Sequence, residues 1–137
     1  MTAVHRIQVL EREAGNILKT LGYGMVIVND SRCFRYVTFN LTACKEREDG
    51  TIEVVMVKLK ISLHAIRSLE EAAILCREEI RCVKKFYDPV PADVKVGRFE
   101  VWFSIPSNKF QTFEITRNGI QEILSPDEMA QQQGRAA

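Results

Sequence analysis

Apolar residues recur near the start of the chain at steps of three and four: Ile7, Leu10, Ala14, Ile17 and Leu21. Positions so spaced share one stripe of an α-helix, with Glu11, Arg12, Glu13 and Lys19 on its flanks and outer side. Gly22 stands where a left-handed cap residue ends such a helix. The period then changes. Tyr23 to Asn29 is rich in Val and Ile and stops at Asn29-Asp30-Ser31, the pattern of a strand. From Arg35 to Cys44 the alternation is strict, with Val37, Phe39, Leu41 and Ala43 on one side and Tyr36, Thr38, Asn40 and Thr42 on the other. Asp49-Gly50 is a favoured hairpin dipeptide. It leads to a third strand, Thr51 to Ile61, which is apolar on both faces around Val54, Val55, Met56 and Val57, as in a central strand covered on both sides.

Ser68 with Glu71 three residues on makes a capping box, and the stripe Leu69, Ala72, Ala73, Cys76, Ile80, Val83 and Tyr87 predicts one long helix. Pro89 and Pro91 end it. Phe99, Val101, Phe103 and Ile105 then alternate with Glu100, Trp102 and Ser104 in a half-buried strand. Pro106-Ser107-Asn108-Lys109 turns that strand into another, Phe110 to Thr116. Asn118-Gly119 with Ile120, Ile123 and Leu124 closes the domain by a strand extension or a short helix. The order is helix, three strands, helix, two strands. The connection from the third strand to the fourth exceeds thirty residues, long enough for a parallel crossover. The expectation is one α/β domain over residues 1–125, followed by a flexible tail, 126–137, with little to bury.

A chain of 137 residues suits a single core, and 46% hydrophobic with 27% charged residues is an ordinary globular mixture. No apolar run reaches the ~18 residues of a membrane span. The first residues lack the uninterrupted apolar stretch of a signal peptide, which sets the expectation of a cytoplasmic protein with no membrane partner. A net charge of +1 gives no general attraction to nucleic acid, so any such attraction has to come from local clustering. Cys33, Cys44, Cys76 and Cys82 contain no C-x-x-C, and His5 and His64 are the two histidines. That spacing is wrong for a zinc site and reads as free thiols. There is no G-x-S-x-G, no Walker-type loop and no G-x-G-x-x-G. Nucleophilic hydrolase triads, nucleotide sites and small-molecule cofactors are therefore not expected.

Two local features carry chemistry. Met56, Lys58 and Lys60 share one face of the third strand, and the hairpin sets them opposite the stretch containing Asn40. Lys58, leaving an apolar strand, has to meet an anion or reach water. On the later helix Arg77, Arg81 and Lys85 recur at four-residue steps, a basic ridge suited to a phosphate backbone, opposed by Glu70, Glu71, Glu78 and Glu79.

A helix bearing a glutamate, a strand, a hairpin presenting an aspartate and a Glu-x-Lys pair, then a helix and more strands resembles the PD-(D/E)xK nuclease superfamily, which includes restriction endonucleases and archaeal Holliday-junction resolvases. The matching stretches are Leu10-Glu11-Arg12-Glu13 through Leu21-Gly22-Tyr23, Phe39-Asn40-Leu41-Thr42-Ala43, and Val54-Val55-Met56-Val57-Lys58-Leu59-Lys60. The resemblance implies a restriction-endonuclease-like α-β-β-β-α-β-β core with a mixed central sheet flanked by helices. In such nucleases the two carboxylates hold Mg²⁺, and the metal and the lysine activate water at the phosphate. Glu11 matches the helical glutamate and Lys58 the lysine. Asn40 stands in place of the aspartate and Met56 in place of the glutamate; an amide is a weak magnesium ligand and a thioether a poor one.

Glu11, Asn40, Met56 and Lys58 would thus form a vestigial catalytic site without metal. The protein is expected to be an inactive nuclease-like protein that binds DNA or a partner subunit, with Lys58, Lys60, Arg77, Arg81 and Lys85 as nucleic-acid contacts. Two alternatives stand beside this. One is an active Mg²⁺-dependent nuclease with a rearranged set, Glu11, Asp30 and Lys58. The other is an interaction module, a homodimer joined through the strands holding Phe99, Trp102, Phe103, Phe110 and Phe113.

Overall fold

The computed structural model describes residues 3–29, 39–94 and 96–136. Helix α1 (Ala3–Thr20) is followed by strands β1 (Met25–Val28), β2 (Leu41–Glu46) and β3 (Ile52–Ile61). Helices α2 (Leu69–Leu75) and α3 (Arg77–Tyr87) lead to β4 (Arg98–Ile105), β5 (Lys109–Thr116), β6 (Gly119–Glu122) and α4 (Pro126–Ala136). The six strands lie across one sheet in chain order. Every neighbouring pair is antiparallel except β3 and β4, which run parallel and are joined by the α2–α3 crossover. The protein is an α/β domain with a mixed six-stranded sheet and four flanking helices. Among the described residues no helix is long and apolar enough to cross a membrane.

The sheet separates two cores. Leu10, Ala14, Leu18 and Leu21 of α1 pack on Leu41, Ala43, Val55, Val57, Leu59 and Trp102. On the other face Ala72, Cys76, Val83 and Tyr87 pack on Phe99, Val101, Phe103, Phe113 and Ile115. The period-two alternation of β3 and β4 decides this division, because successive side chains leave opposite faces. Leu18, fully buried, joins the α1 stripe alongside the residues that the spacing singles out.

Four sequence expectations change. The alternation of β2 breaks at Asn40: Phe39 packs in the α2–α3 core with its ring 5.4 Å from Phe99, whereas Leu41 and Ala43 face α1. At the break, the Asn40 side-chain oxygen accepts the Leu59 N–H at 2.8 Å while its own N–H donates to Val57 O, so a side chain replaces a rung of the ladder. Arg35 to Thr38 lie outside the described residues. The long helix divides at Cys76 (φ −106°, ψ 18°), where Lys60 Nζ donates to Leu75 O at 2.8 Å from the sheet below. A stripe read along one helix contains no sign of that cross-layer bond.

The closing segment Asn118-Gly119-Ile120 extends as β6. The part expected as a frayed tail carries α4, capped by reciprocal Ser125 and Glu128 bonds and anchored by Met129, Ala130 and a Gln133 bond to Leu21 O. Finally, the proposed aromatic dimer face is interior: Phe99, Trp102, Phe103, Phe110 and Phe113 are all buried, because the helices close over both sides of β4 and β5. Trp102 does leave the face opposite Phe99 and Phe103, where it meets Phe110 at 5.4 Å under α1.

Gly97 marks where the connector from α3 closes against β3; a Cβ there would come 3.2 Å from Val54 O. Arg117 holds the same connector by donating to the carbonyls of Val90, Pro91 and Val94 at 2.8, 2.6 and 3.0 Å while stacking over Tyr87.

Candidate functional site

The hairpin register pairs Leu41 with Val57 and Thr42 with Met56, which brings Asn40 beside the Val57–Leu59 stretch, as the Asp49-Gly50 turn predicts. Asn40 is committed to the fold. Besides bonding to Leu59, it accepts the Asn29 N–H on its backbone oxygen, and Asn29 in turn donates to Phe39 O and accepts from Thr42 Oγ1. The side-chain oxygen that matches a metal-binding aspartate is thus spent on closing β2 against β3.

Met56 lies half-buried against the α2–α3 core. Lys58 and Lys60 share its face. Lys60 is 2.8 Å from Glu79 Oε1 as well as bonded to Leu75 O, so this ammonium serves the α2–α3 junction and is turned away from any external phosphate. Burial pushes the Lys58 pKa down; Glu79 opposes the shift and Lys60 adds to it. Burial likewise pushes the Cys76 thiol up to about 12, which keeps it a neutral core side chain.

Glu11 belongs to the other layer. It sits on the flank of α1, over the face formed by Val55, Val57 and Leu59, with its carboxyl pKa raised by burial. The sheet therefore brings Asn40, Met56 and Lys58 together on neighbouring strands, and the helical glutamate stands on the opposite side of it. Asp30, part of the rearranged set, lies outside the described residues. No group of three or more His, Cys, Asp or Glu side chains among the described residues is arranged to hold a metal ion. A groove of about 630 Å³ bounded by β5, β6 and α4 is lined by none of the candidate residues.

The basic ridge is realised. Arg77, Arg81 and Lys85 are exposed along α3, with Lys84 beside them. Its acidic opposition is weaker than a residue count suggests. Glu79 is buried at 4% exposure and paired with Lys60, and Glu71 is half-buried, 3.9 Å from His64. Glu70 and Glu78 remain outside.

Sequence reasoning missed a second charged centre, on the α1 face. Arg98 Nη2 is 3.0 Å from Glu100, Nε is 3.5 Å from Glu114, and Nη1 is 4.0 Å from Glu53. Glu53 also meets Lys45, Arg47 and the Tyr23 hydroxyl, and Glu100 accepts from Trp102 Nε1 at 2.9 Å. Glu114 accepts from Gln121. Burial raises the Glu100 pKa, with Arg98 and the Trp102 bond pulling the other way. The even-numbered charges at 98, 100 and 114 were the available signal, since charges alternating with apolar residues in a central strand all leave one face. No protein-family model matches the chain, and no curated protein matches it either.

Proposed function

We propose that the protein binds nucleic acid through the outer face of α3, on an endonuclease-like scaffold that no longer hydrolyses phosphodiesters. The observation that carries the reading is the exposure of Arg77, Arg81, Lys84 and Lys85 on one short helix while Glu79 turns inward to Lys60. Arg77 to Lys85 spans about 12 Å at ~1.5 Å per residue. That is room for three to four phosphates of one strand at about 3.4 Å each. The order of elements, with antiparallel β1–β3, a helical crossover and a parallel β4, supports the endonuclease-like part of the reading. The use of Asn40 as a ladder rung and of Met56 as a packing residue supports loss of the magnesium site.

Fluorescence anisotropy with labelled duplex, branched and single-stranded DNA tests it. With three phosphate contacts, a fourfold rise in salt weakens binding about 40-fold, and the R77A/R81A/K85A triple variant flattens the logarithmic salt slope by about 2–3. Binding indifferent to salt and to the triple variant rejects the ridge. Cleavage in Mg²⁺ or Mn²⁺ that Lys58→Ala abolishes rejects the inactive scaffold.

A further inference from the structure

Helices α2 and α3 cover only part of the sheet face to which Met56 and Lys58 belong. Their core reaches Phe99, Val101 and Phe103 of β4 and Phe113 and Ile115 of β5. Toward β1 the same face is open: Met25 is 53% and Ile27 48% exposed, and Ile52, at the start of β3, is 58% exposed. Register sets Met25, Cys44 and Val54 in one row and Ile27, Thr42 and Met56 in the next. Phe86 of α3, 45% exposed, borders the patch on the helix side, with its ring 5.2 Å from Phe99. A sheet in a layered α/β protein buries its apolar face against another element, and here about half of one face lacks it.

We propose that a second copy of this chain docks on the open β1–β3 face, the two copies stacked face to face about a twofold axis. The charges at the ends of the patch are self-complementary. Glu46 lies exposed at the hairpin end, on the face of Thr42 and Cys44. Lys58 lies at the other end, six residues along β3 from Glu46's partner Ile52, or about 20 Å. A twofold axis reverses one copy on the other, so each Glu46 meets the partner's Lys58 while Ile27, Cys44, Val54 and Met56 interlock at the centre. Nucleic acid fits this surface poorly, because its middle is apolar and one end is acidic. A net charge of +1 leaves no long-range repulsion between copies. The strip is about 14 by 20 Å on strand spacings. This is below the ~800 Å² per partner of a standard interface, so the dimer is weak and forms in the micromolar range.

Sedimentation velocity of the whole chain from about 1 to about 200 µM, without nucleic acid, tests the face. The expected result is a monomer–dimer equilibrium that high salt weakens, that Glu46→Lys weakens about tenfold, and that Ile27→Lys abolishes with circular dichroism unchanged. Ile27 is solvent-facing, so the variant folds; Met25→Lys serves as the second probe. Midway between Glu46 and Lys58, the two Cys44 thiols lie near the axis. Diamide, taking two electrons and two protons, links them in a disulfide dimer that Cys44→Ser does not form. A wild type monomeric throughout, a dimer that survives both lysine variants, or a cross-link that persists without Cys44 overturns the proposal. Each of these leaves the α3 ridge reading standing.

Discussion

Two charged centres lie on opposite faces of the same sheet and are built on different plans. Under α2–α3, Lys60 and Glu79 form a one-to-one pair, with Glu79's side chain 5% exposed. Under α1, Arg98 faces three glutamates, each with another partner: Lys45 and Arg47 for Glu53, Trp102 for Glu100, and Gln121 for Glu114. The difference teaches that redundancy, rather than the number of charges, governs how costly a buried charge becomes when one partner is lost. A pair has no second arrangement. A network redistributes its bonds, and the Arg98 side chain, 28% exposed, also admits water.

The contrast is broken most directly at Lys60. Lys60→Ala strands the Glu79 carboxylate and frees Leu75 O, and is expected to cost about 3–5 kcal/mol in urea unfolding. The double variant K60M/E79L, which removes both charges, recovers most of that loss. If the single variant costs no more than a surface substitution, the pair does not act as a unit. Arg98→Met comes next, at about 1–3 kcal/mol, because each glutamate keeps a remaining partner; a loss equal to that of Lys60→Ala contradicts the redundancy argument.

The smallest effect is in pH. Burial raises the folded-state Glu100 pKa above its unfolded value, so the folded state binds this proton more tightly. Ionised Glu100 therefore lowers stability fully above the folded pKa, and the penalty disappears as pH falls below the unfolded one. Glu100→Gln should gain on wild type at neutral pH, with the gap closing on acidification through that window. Thermal melts at a series of pH values check the slope, and a gap that widens toward acid reverses the sign assigned here.

Much of the fold is legible locally. The i, i+3, i+4 stripe of α1, the Asp49-Gly50 hairpin, the capping box at Ser68 and the length of the crossover to β4 all appear where pattern places them. The candidate site is legible only in part. Period two correctly put Met56, Lys58 and Lys60 on one face and Glu53 on the other. It did not reveal that Asn40 would supply a ladder bond, that Phe39 would cross to the other core, or that Lys60 would reach across the layer to Glu79 and Leu75.

The sequence by itself determined the helices and strands, their order and the face each strand residue takes, because backbone period and turn chemistry act over a few neighbours. Tertiary structure alone decided the partners of the charges, the split of the long helix at Cys76 and the burial of the aromatic strands on both sides. Those outcomes depend on groups many residues apart meeting across a layer, where the cost of burying an unsatisfied charge or carbonyl selects one arrangement that no local pattern records.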